Sequence, residues 1–196
     1  MKRLILLTTI LFSCVAVAFG DEQPQEMRDS VKLFFRQGMS SLDAGYMGNE
    51  ETLRAFSNKV NAYMRDTAAH FRRIRIVASA SPEGGMRQNE ILAQKRAKAI
   101  VSHLSQLLAV DLGYEVEATG IDWDALIALV ESEENTPHRD EVLDLLRSTP
   151  DDEVRDGRLV SIRRSRLAAL HGGEPYRWML EHLFPRLRFA SARVEC

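Results

Sequence analysis

The fold is decided by residues 79–100, whose sequence is SASPEGGMRQNEILAQKRAKAI. The preceding residues 73–79 alternate isoleucine and alanine with arginine and valine, and this period of two predicts a β-strand. Gly84 and Gly85 then give the backbone the freedom needed for a tight turn. A helical pattern begins near Arg87. The stretch therefore predicts a strand, a glycine turn and a helix.

Arg96 lies on the apolar face of this helix. Leu92 and Ile100 fall four residues to either side of it, so all three side chains project from the same face. A guanidinium in that position has to reach water, pair with a carboxylate or bind a ligand. Two interpretations follow from the residues: Arg96 pairs with Glu90 or Glu115, or it joins the amides of the glycine turn in holding a small anion.

The periodicity of the rest of the chain predicts an α/β (α+β) fold. Strand patterns occupy residues 31–36, 73–79, 114–119 and 186–195, and helical patterns occupy residues 50–64, 87–108, 123–130, 138–147, 152–170 and 175–183, with a loop at 38–49. The order strand, helix, strand, helix, strand predicts helices packed on one face of a sheet. The later helices predict a C-terminal helical insertion before a final strand. We expect a core at residues 31–120, the insertion at 121–185 and the final strand at 186–196.

Residues 1–20 have the three parts of a secretory signal peptide. Lys2 and Arg3 precede an apolar run at residues 4–18. The small residues Ala18 and Gly20, three residues and one residue before the cut, predict cleavage after Gly20, followed by a polar tether at 21–30. Two alternatives stay open. A retained membrane anchor would need ~20 apolar residues, more than this run contains. An imperfect lipobox at residues 11–14 would instead make Cys14 an acylated first residue.

Composition and motifs exclude several classes of function. The net charge is −2 and no basic block occurs, so we expect no nucleic-acid partner. The basic run at residues 163–166 lies beside acidic residues and indicates a solvated mixed-charge helix. The five histidines do not fall at metal-ligand spacing in the sequence, and no nucleophile motif occurs. We therefore predict no metal, no cofactor and no enzymatic activity. Without Cys14, Cys196 is the only thiol, so no intrachain disulfide can form.

Residues 78–97, ASASPEGGMRQNEILAQKRA, resemble the core motif of the OmpA-like C-terminal domain, which also occurs in peptidoglycan-associated lipoproteins and flagellar stator proteins. That motif is a Gly-x-x-Asp-x-x-Gly turn, an asparagine and a Leu-Ser-x-x-Arg-Ala helix. Gly84 matches the turn glycine, Asn89 the asparagine and Arg96 the arginine, without a gap. The resemblance covers residues 31–120 and implies an OmpA-like βαβαβ two-layer sandwich.

The resemblance also implies a ligand. In family members that bind peptidoglycan, the helix arginine holds a carboxylate of the stem-peptide diaminopimelate and the turn aspartate holds its ammonium group. Ser81 stands at the aspartate position and carries no charge, so Glu83 is a candidate replacement. The implied ligand-binding residues are Ser81, Glu83, Gly84, Gly85, Asn89 and Arg96. The resemblance implies a non-enzymatic protein that binds peptidoglycan stem peptide or an envelope protein. Such a protein would be located in the periplasm or at the outer membrane, with at most a peripheral membrane association.

The turn at residues 80–84, ASPEG, is similar to a variant found in Bacteroidetes envelope proteins. In that subgroup the OmpA-like domain carries a helical insertion, and the subgroup is associated with surface structures or fimbriae. This likeness supports an alternative interpretation. The chain would be an envelope or fimbrial assembly module whose peptidoglycan site is vestigial, and the helices between Trp123 and Leu183 would form its working surface.

Overall fold

A computed structural model of the protein describes residues 30–65, 72–108, 113–155 and 157–195. The predicted signal peptide, Cys14, the tether up to residue 29 and Cys196 lie outside the described residues. Within the described ranges, no helix is both long enough and apolar enough to cross a membrane.

The described residues form six strands and six α-helices. The strands are β1 (Ser30–Phe34), β2 (Arg73–Ala80), β3 (Tyr114–Ile121), β4 (Asp152–Arg155), β5 (Arg158–Ser161) and β6 (Phe189–Glu195). The helices are α1 (Asn49–Arg65), α2 (Met86–Leu107), α3 (Trp123–Ser132), α4 (Arg139–Ser148), α5 (Ile162–Ala169) and α6 (Glu174–His182). Short 3-10 helices at Leu170–Gly173 and Phe184–Leu187 precede and follow α6.

Four of the strands form one sheet in the order β1-β6-β2-β3. Strand β6 is antiparallel to both β1 and β2, whereas β2 and β3 run parallel, joined by the crossover helix α2. The prediction of an α/β fold with a final strand that returns to the sheet is confirmed. That last strand lies in the interior of the sheet, between the first two strands.

Helices α1 and α2 cover one face of this sheet. Alternate residues of the two central strands are at most 4 % exposed and form one side of the core: Ile74, Ile76, Ala78, Ala190, Ala192 and Val194. Opposite them, Ala93 and Ala97 of α2 are fully buried, and their small side chains let the helix lie close to the sheet. The two-layer arrangement predicted from the periodicity is therefore present.

A second buried cluster lies in the segment between β3 and β6. Its members come from α3, α4, α5, α6 and the last 3-10 helix, and they include Trp123, Leu126, Val142, Leu146, Leu167, Met179 and Phe184. Trp123 is 7 % exposed and is one of the large side chains of this cluster. This helical segment thus has apolar packing of its own.

The prediction of one continuous helix over residues 152–170 is wrong. Strands β4 and β5 form an antiparallel hairpin there, and the helix begins only at Ile162. The signal that outweighs helical periodicity is Gly157, because its φ of 72° suits a tight hairpin turn. The solvated-helix interpretation also fails for Arg163. Its side chain is 14 % exposed and bonds to the Thr149 carbonyl at 2.8 Å.

The last strand begins later than the sequence pattern suggests. Residues 186 and 187 belong to the 3-10 helix that begins at Phe184, with Pro185 in its first turn, and β6 starts at Phe189. Phe184 and Leu187 are buried in the helical cluster, so tertiary packing outweighs the alternation at this end of the strand.

Candidate functional site

The glycine turn between β2 and α2 is held from inside by Asn89. This side chain is 3 % exposed, and its Nδ2 donates to the carbonyls of Ser81 and Gly84, each at 3.2 Å. A Cβ atom on Gly84 would lie 2.6 Å from Asn89 Oδ1, so glycine is required there by close approach. Gly85 is the residue before α2, and its amide donates to Gln88 Oε1 at 3.3 Å. Asn89 thus fixes the conformation of the turn.

Arg96 is the largest fully buried side chain among the described residues, with 1 % of its surface exposed. Its Nε donates to the Met39 carbonyl at 3.1 Å, its Nη1 to the Ser79 carbonyl at 2.9 Å, and its Nη2 to the Arg36 carbonyl at 3.4 Å. The guanidinium also lies 5.0 Å from the centre of the Phe35 ring. Arg96 therefore ties the segment after β1, the end of β2 and helix α2 to one point.

The expectation that Arg96 pairs with Glu90 or Glu115 is wrong. Glu115 pairs instead with Arg73 at 2.9 Å, and no described carboxylate lies within 4.0 Å of the Arg96 guanidinium. Backbone carbonyls replace the carboxylate because the end of β2 and the loop after β1 both present them to the buried side chain. Within the part of the chain that the structure describes, two of the five N–H groups have no acceptor, one on each Nη nitrogen.

The pKa of Arg96 is lowered to about 10, mainly by burial and also by the nearby positive charge of Arg188, while Glu83 opposes the shift. The guanidinium nevertheless remains protonated at neutral pH. It is a buried cation whose charge no described carboxylate neutralises at close range. An anion bound nearby would be stabilised by this charge.

Glu83 and Ser81 are both engaged by Arg188, which precedes β6. Arg188 is 6 % exposed, its Nη2 forms an ion pair with Glu83 Oε1, and its Nε donates to Ser81 Oγ at 3.4 Å. Sequence reasoning offered Glu83 as a holder for an ammonium group. The structure pairs that carboxylate with an arginine of this chain, and the serine hydroxyl lies beside the same arginine.

The helical segment also contacts the turn. Tyr176 of α6 donates from its hydroxyl to the Pro82 carbonyl at 3.0 Å, and burial raises the pKa of this phenol. Arg164 of α5 lies with its Nη1 3.5 Å from the Glu83 carbonyl, while its buried Nε has no hydrogen-bond partner among the described residues. The turn is thus clamped between α2 on one side and the helical segment on the other.

A cleft of about 470 Å³ opens in front of the turn. It is lined by Gln37, Gly38, Ser40, Ser81, Glu83, Gly84, Gln88, Asn89, Ile91, Leu92 and Lys95. Glu83 is the one carboxylate in this lining, and Arg188 neutralises it. Lys95 is exposed and makes no ion pair among the described residues. The carbonyls that hold Arg96 belong to the segments that form two walls of the cleft. The local charge is therefore positive, which favours an anion.

Of the predicted site residues, Ser81, Glu83, Gly84 and Asn89 line the cleft, Gly85 adjoins it, and Arg96 lies behind it. Sequence reasoning missed Lys95, Arg164, Tyr176 and Arg188. Lys95 has a sequence signal, because it directly precedes Arg96 on the same helix. The other three residues are distant in sequence and reach the turn only through tertiary packing.

Asn49 is a further residue that sequence reasoning missed, because it was assigned to a loop. It is fully buried at the start of α1, and its amide exchanges two hydrogen bonds of 2.8 Å with the backbone of Phe34. Its Nδ2 also donates to the Asp43 carbonyl at 2.8 Å. Asn49 therefore fixes the loop that supplies two of the carbonyls bound to Arg96.

The fold and the cleft define an α/β domain with a cationic site beside the N-terminus of its crossover helix. No protein-family model and no curated protein sequence matches the chain. Two of the solved structures that it resembles are the OmpA-like domain of FopA1 from Francisella tularensis and the peptidoglycan-associated lipoprotein from Burkholderia pseudomallei.

The FopA1 domain has 14 % sequence identity and a TM-score of 0.43, with 84 % of this chain and 70 % of that chain covered. The lipoprotein has 16 % identity and a TM-score of 0.45, with 84 % and 89 % covered. Both TM-scores are below 0.5, so the function of this chain has to be argued from its own residues.

Proposed function

We propose that the chain is a non-enzymatic cell-envelope protein that binds a carboxylate of the peptidoglycan stem peptide through its cationic cleft. The observation that carries this proposal is the buried Arg96 guanidinium, which is bonded to backbone carbonyls of the cleft walls and has no carboxylate partner among the described residues. Lys95 adds a solvent-exposed cation at the rim. Arginine and lysine make charge-assisted hydrogen bonds to carboxylates, and the free amides at the start of α2 add donors.

The ligand group is a carboxylate rather than a zwitterion. An ammonium group would need an unpaired carboxylate in the cleft, and Glu83 is already paired with Arg188. Ser81 offers a neutral hydroxyl that faces the same arginine. Recognition therefore depends on the negative end of the stem peptide, and the amine end contributes little.

The proposal places the protein outside the cytoplasm. Residues 1–20 would direct export and be removed after Gly20, which leaves residues 21–30 as a polar tether before β1. The mature protein would lie in the periplasm or at the outer membrane and be peripheral to it. Acylation at Cys14 is the alternative means of attachment, and mass spectrometry of the mature N-terminus distinguishes the two.

A pulldown with purified peptidoglycan tests the proposal. Lys95→Glu reverses a charge inside the cleft, whereas Lys98→Glu makes the same change on the same helix outside the cleft lining. We expect wild type and Lys98→Glu to sediment with peptidoglycan and Lys95→Glu to remain in the supernatant. Arg96→Ala is a poor probe, because it would also remove the bonds that organise the cleft walls.

Equal retention of the two lysine variants would contradict the proposal, since the exposed cation of the cleft would then have no role. Failure of the wild type to sediment would contradict it too. Circular dichroism of both variants serves as the folding control, because each substitution changes an exposed side chain only.

A second candidate function is an envelope or fimbrial assembly module that works through the segment at residues 121–185. The observation that favours it is the Arg188–Glu83 ion pair, which occupies the position where an ammonium group would bind. In this case Lys95→Glu leaves partner capture intact. Charge reversal on the exposed face of the helical segment, at Asp144 of α4 or Glu181 of α6, abolishes it. If Lys95→Glu abolishes partner capture and the charge reversals in the helical segment do not, the result supports binding through the cleft.

A further inference from the structure

Two histidines and a glutamate meet on the surface of the helical segment, away from the cleft. His138 precedes α4, Glu141 lies in the first turn of α4, and His171 lies in the 3-10 helix after α5. One ligand atom from each of the three side chains lies within 4.8 Å of the other two. All three side chains are exposed, so an ion could reach them from solvent.

We propose that His138, Glu141 and His171 bind one divalent transition-metal ion, with Zn²⁺ as the representative case. Imidazole nitrogen and carboxylate oxygen are ligands for Zn²⁺ at about 2.0–2.2 Å, so neighbouring ligand atoms of a tetrahedral site lie about 3.3–3.5 Å apart. The His171 Nε2 to Glu141 Oε2 distance is 2.9 Å and the His138 Nδ1 to Glu141 Oε1 distance is 3.7 Å. These two distances bracket the required value but end on different oxygens of Glu141, so the carboxylate has to turn to present one oxygen to the ion.

Glu174 supplies the outer support that metal-bound histidines usually have. Its Oε2 lies 3.3 Å from His138 Nε2, the ring nitrogen opposite the one that faces Glu141. A proton on Nε2 would be donated to Glu174, which leaves Nδ1 with a free lone pair for the metal. Two carboxylates, one in contact with the ion and one behind the ring, balance the charge of a divalent cation. Three protein ligands leave a position for water.

Metal binding requires a small rotation of the two rings. The imidazoles are stacked with their centres 3.6 Å apart and their planes within 11° of parallel, so each ring has to turn toward the ion. Both side chains are exposed, and nothing in the described contacts prevents the rotation. The nearby arginines are engaged elsewhere: Arg139 pairs with Asp140 at 3.6 Å, and Arg177 donates to the Gly172 carbonyl at 2.9 Å.

Sequence spacing gave no sign of this site, because its histidines come from different segments that only the fold brings together. The backbone at both positions is left-handed, with φ of 51° at His138 and 46° at His171. Asparagine tolerates this conformation better than most residues. His138→Asn and His171→Asn therefore remove the ligands with the least disturbance of the backbone.

Isothermal titration of the tag-free, chelator-treated protein with zinc chloride tests the site. We expect wild type to bind one zinc ion per chain at neutral pH, and each asparagine variant to bind at least tenfold more weakly. Glu174→Gln should weaken binding 10–100-fold, as expected for an outer carboxylate. His182→Asn is the matched control, because His182 bonds to the Trp178 carbonyl of its own helix at 2.8 Å and lies outside the cluster.

Spectra of the Co²⁺-substituted protein give an independent readout. Absorption bands of tetrahedral Co²⁺ should be present in wild type and in His182→Asn, and absent in the variants of His138 and His171. The proposal is overturned if wild type binds no zinc. It is equally overturned if the His138 and His171 variants bind zinc as tightly as wild type while circular dichroism shows that they are folded.

Discussion

Replacing Arg96 with methionine should destabilise the fold through loss of its backbone contacts. The substitution keeps an unbranched side chain of about the length of arginine's aliphatic part but removes three hydrogen bonds to the carbonyls of Ser79, Met39 and Arg36. Hydrogen bonds to charged groups contribute about 1.5–3 kcal/mol each, a gross loss of roughly 5–9 kcal/mol. The bond to the Ser79 carbonyl is buried, so water replaces it poorly, whereas the bonds to Met39 and Arg36 are partly buried.

Part of this loss is offset, because the buried guanidinium carries a cost of its own. Its pKa lies at about 10 instead of 12.5, which corresponds to about 3 kcal/mol against the charged form. We therefore expect Arg96→Met to lower the free energy of unfolding by roughly 2–6 kcal/mol, which includes the 3–5 kcal/mol typical when one partner of a buried charged pair is removed. Arg87→Met on the exposed face of the same helix should change it by less than about 0.5 kcal/mol.

Urea denaturation measures both variants. Far-ultraviolet circular dichroism follows the whole chain, and tryptophan fluorescence follows the helical segment through Trp123 and Trp178. The two probes have to give the same midpoint for a single free energy to be meaningful. If Arg96→Met were as stable as Arg87→Met, Arg96 would not hold the two walls of the cleft together.

Two further predictions concern the turn and one end of the two central strands. Gly84→Ala should lower the free energy of unfolding by about 1–3 kcal/mol, because the new Cβ would lie 2.6 Å from the Oδ1 of the immobilised Asn89. The control is Gly85→Ala, whose Cβ would lie 3.6 Å from its nearest atom and which should be nearly neutral. Thermal denaturation measures both variants. The hydrogen bond from Arg73 to Glu195, followed by that from Arg193, lowers the pKa of the Glu195 carboxyl. Its stabilisation is therefore present above the unfolded-state pKa and is lost as the pH falls through the lower folded-state pKa. The difference in stability between wild type and Glu195→Gln should be larger at about pH 6 than at about pH 3; a difference independent of pH would contradict this assignment.

Much of the fold could be predicted from the sequence, because hydrophobic periodicity reflects which face of each element is buried. The alternation in β2 and the inward position of Arg96 on α2 both correspond to burial in the structure. The hairpin at β4 and β5 was predicted as helix. There, one left-handed glycine, Gly157, decided the local structure against the helical pattern.

The partners of the candidate site residues were harder to predict, since a pattern along the chain does not show which distant groups meet. Arg188 is more than ninety residues from Ser81 and Glu83 in sequence, yet it contacts both side chains. The backbone carbonyls that bind Arg96 have no sequence signature at all, because every residue carries one. The residue type of Arg96 indicated a buried cation, and only the fold supplied its acceptors.

A titration of the ¹⁵N-labelled protein with diaminopimelate and two derivatives, followed by amide chemical shifts, tests the central claim most directly. The claim is that the cleft recognises a carboxylate and does not require an ammonium group. We predict that diaminopimelate and its N-acetylated form shift the amides around Gly84, Gln88 and Lys95 with similar affinity, and that the carboxamide form does not. Binding of the carboxamide as tightly as the acid, or loss of binding on N-acetylation, would contradict the account.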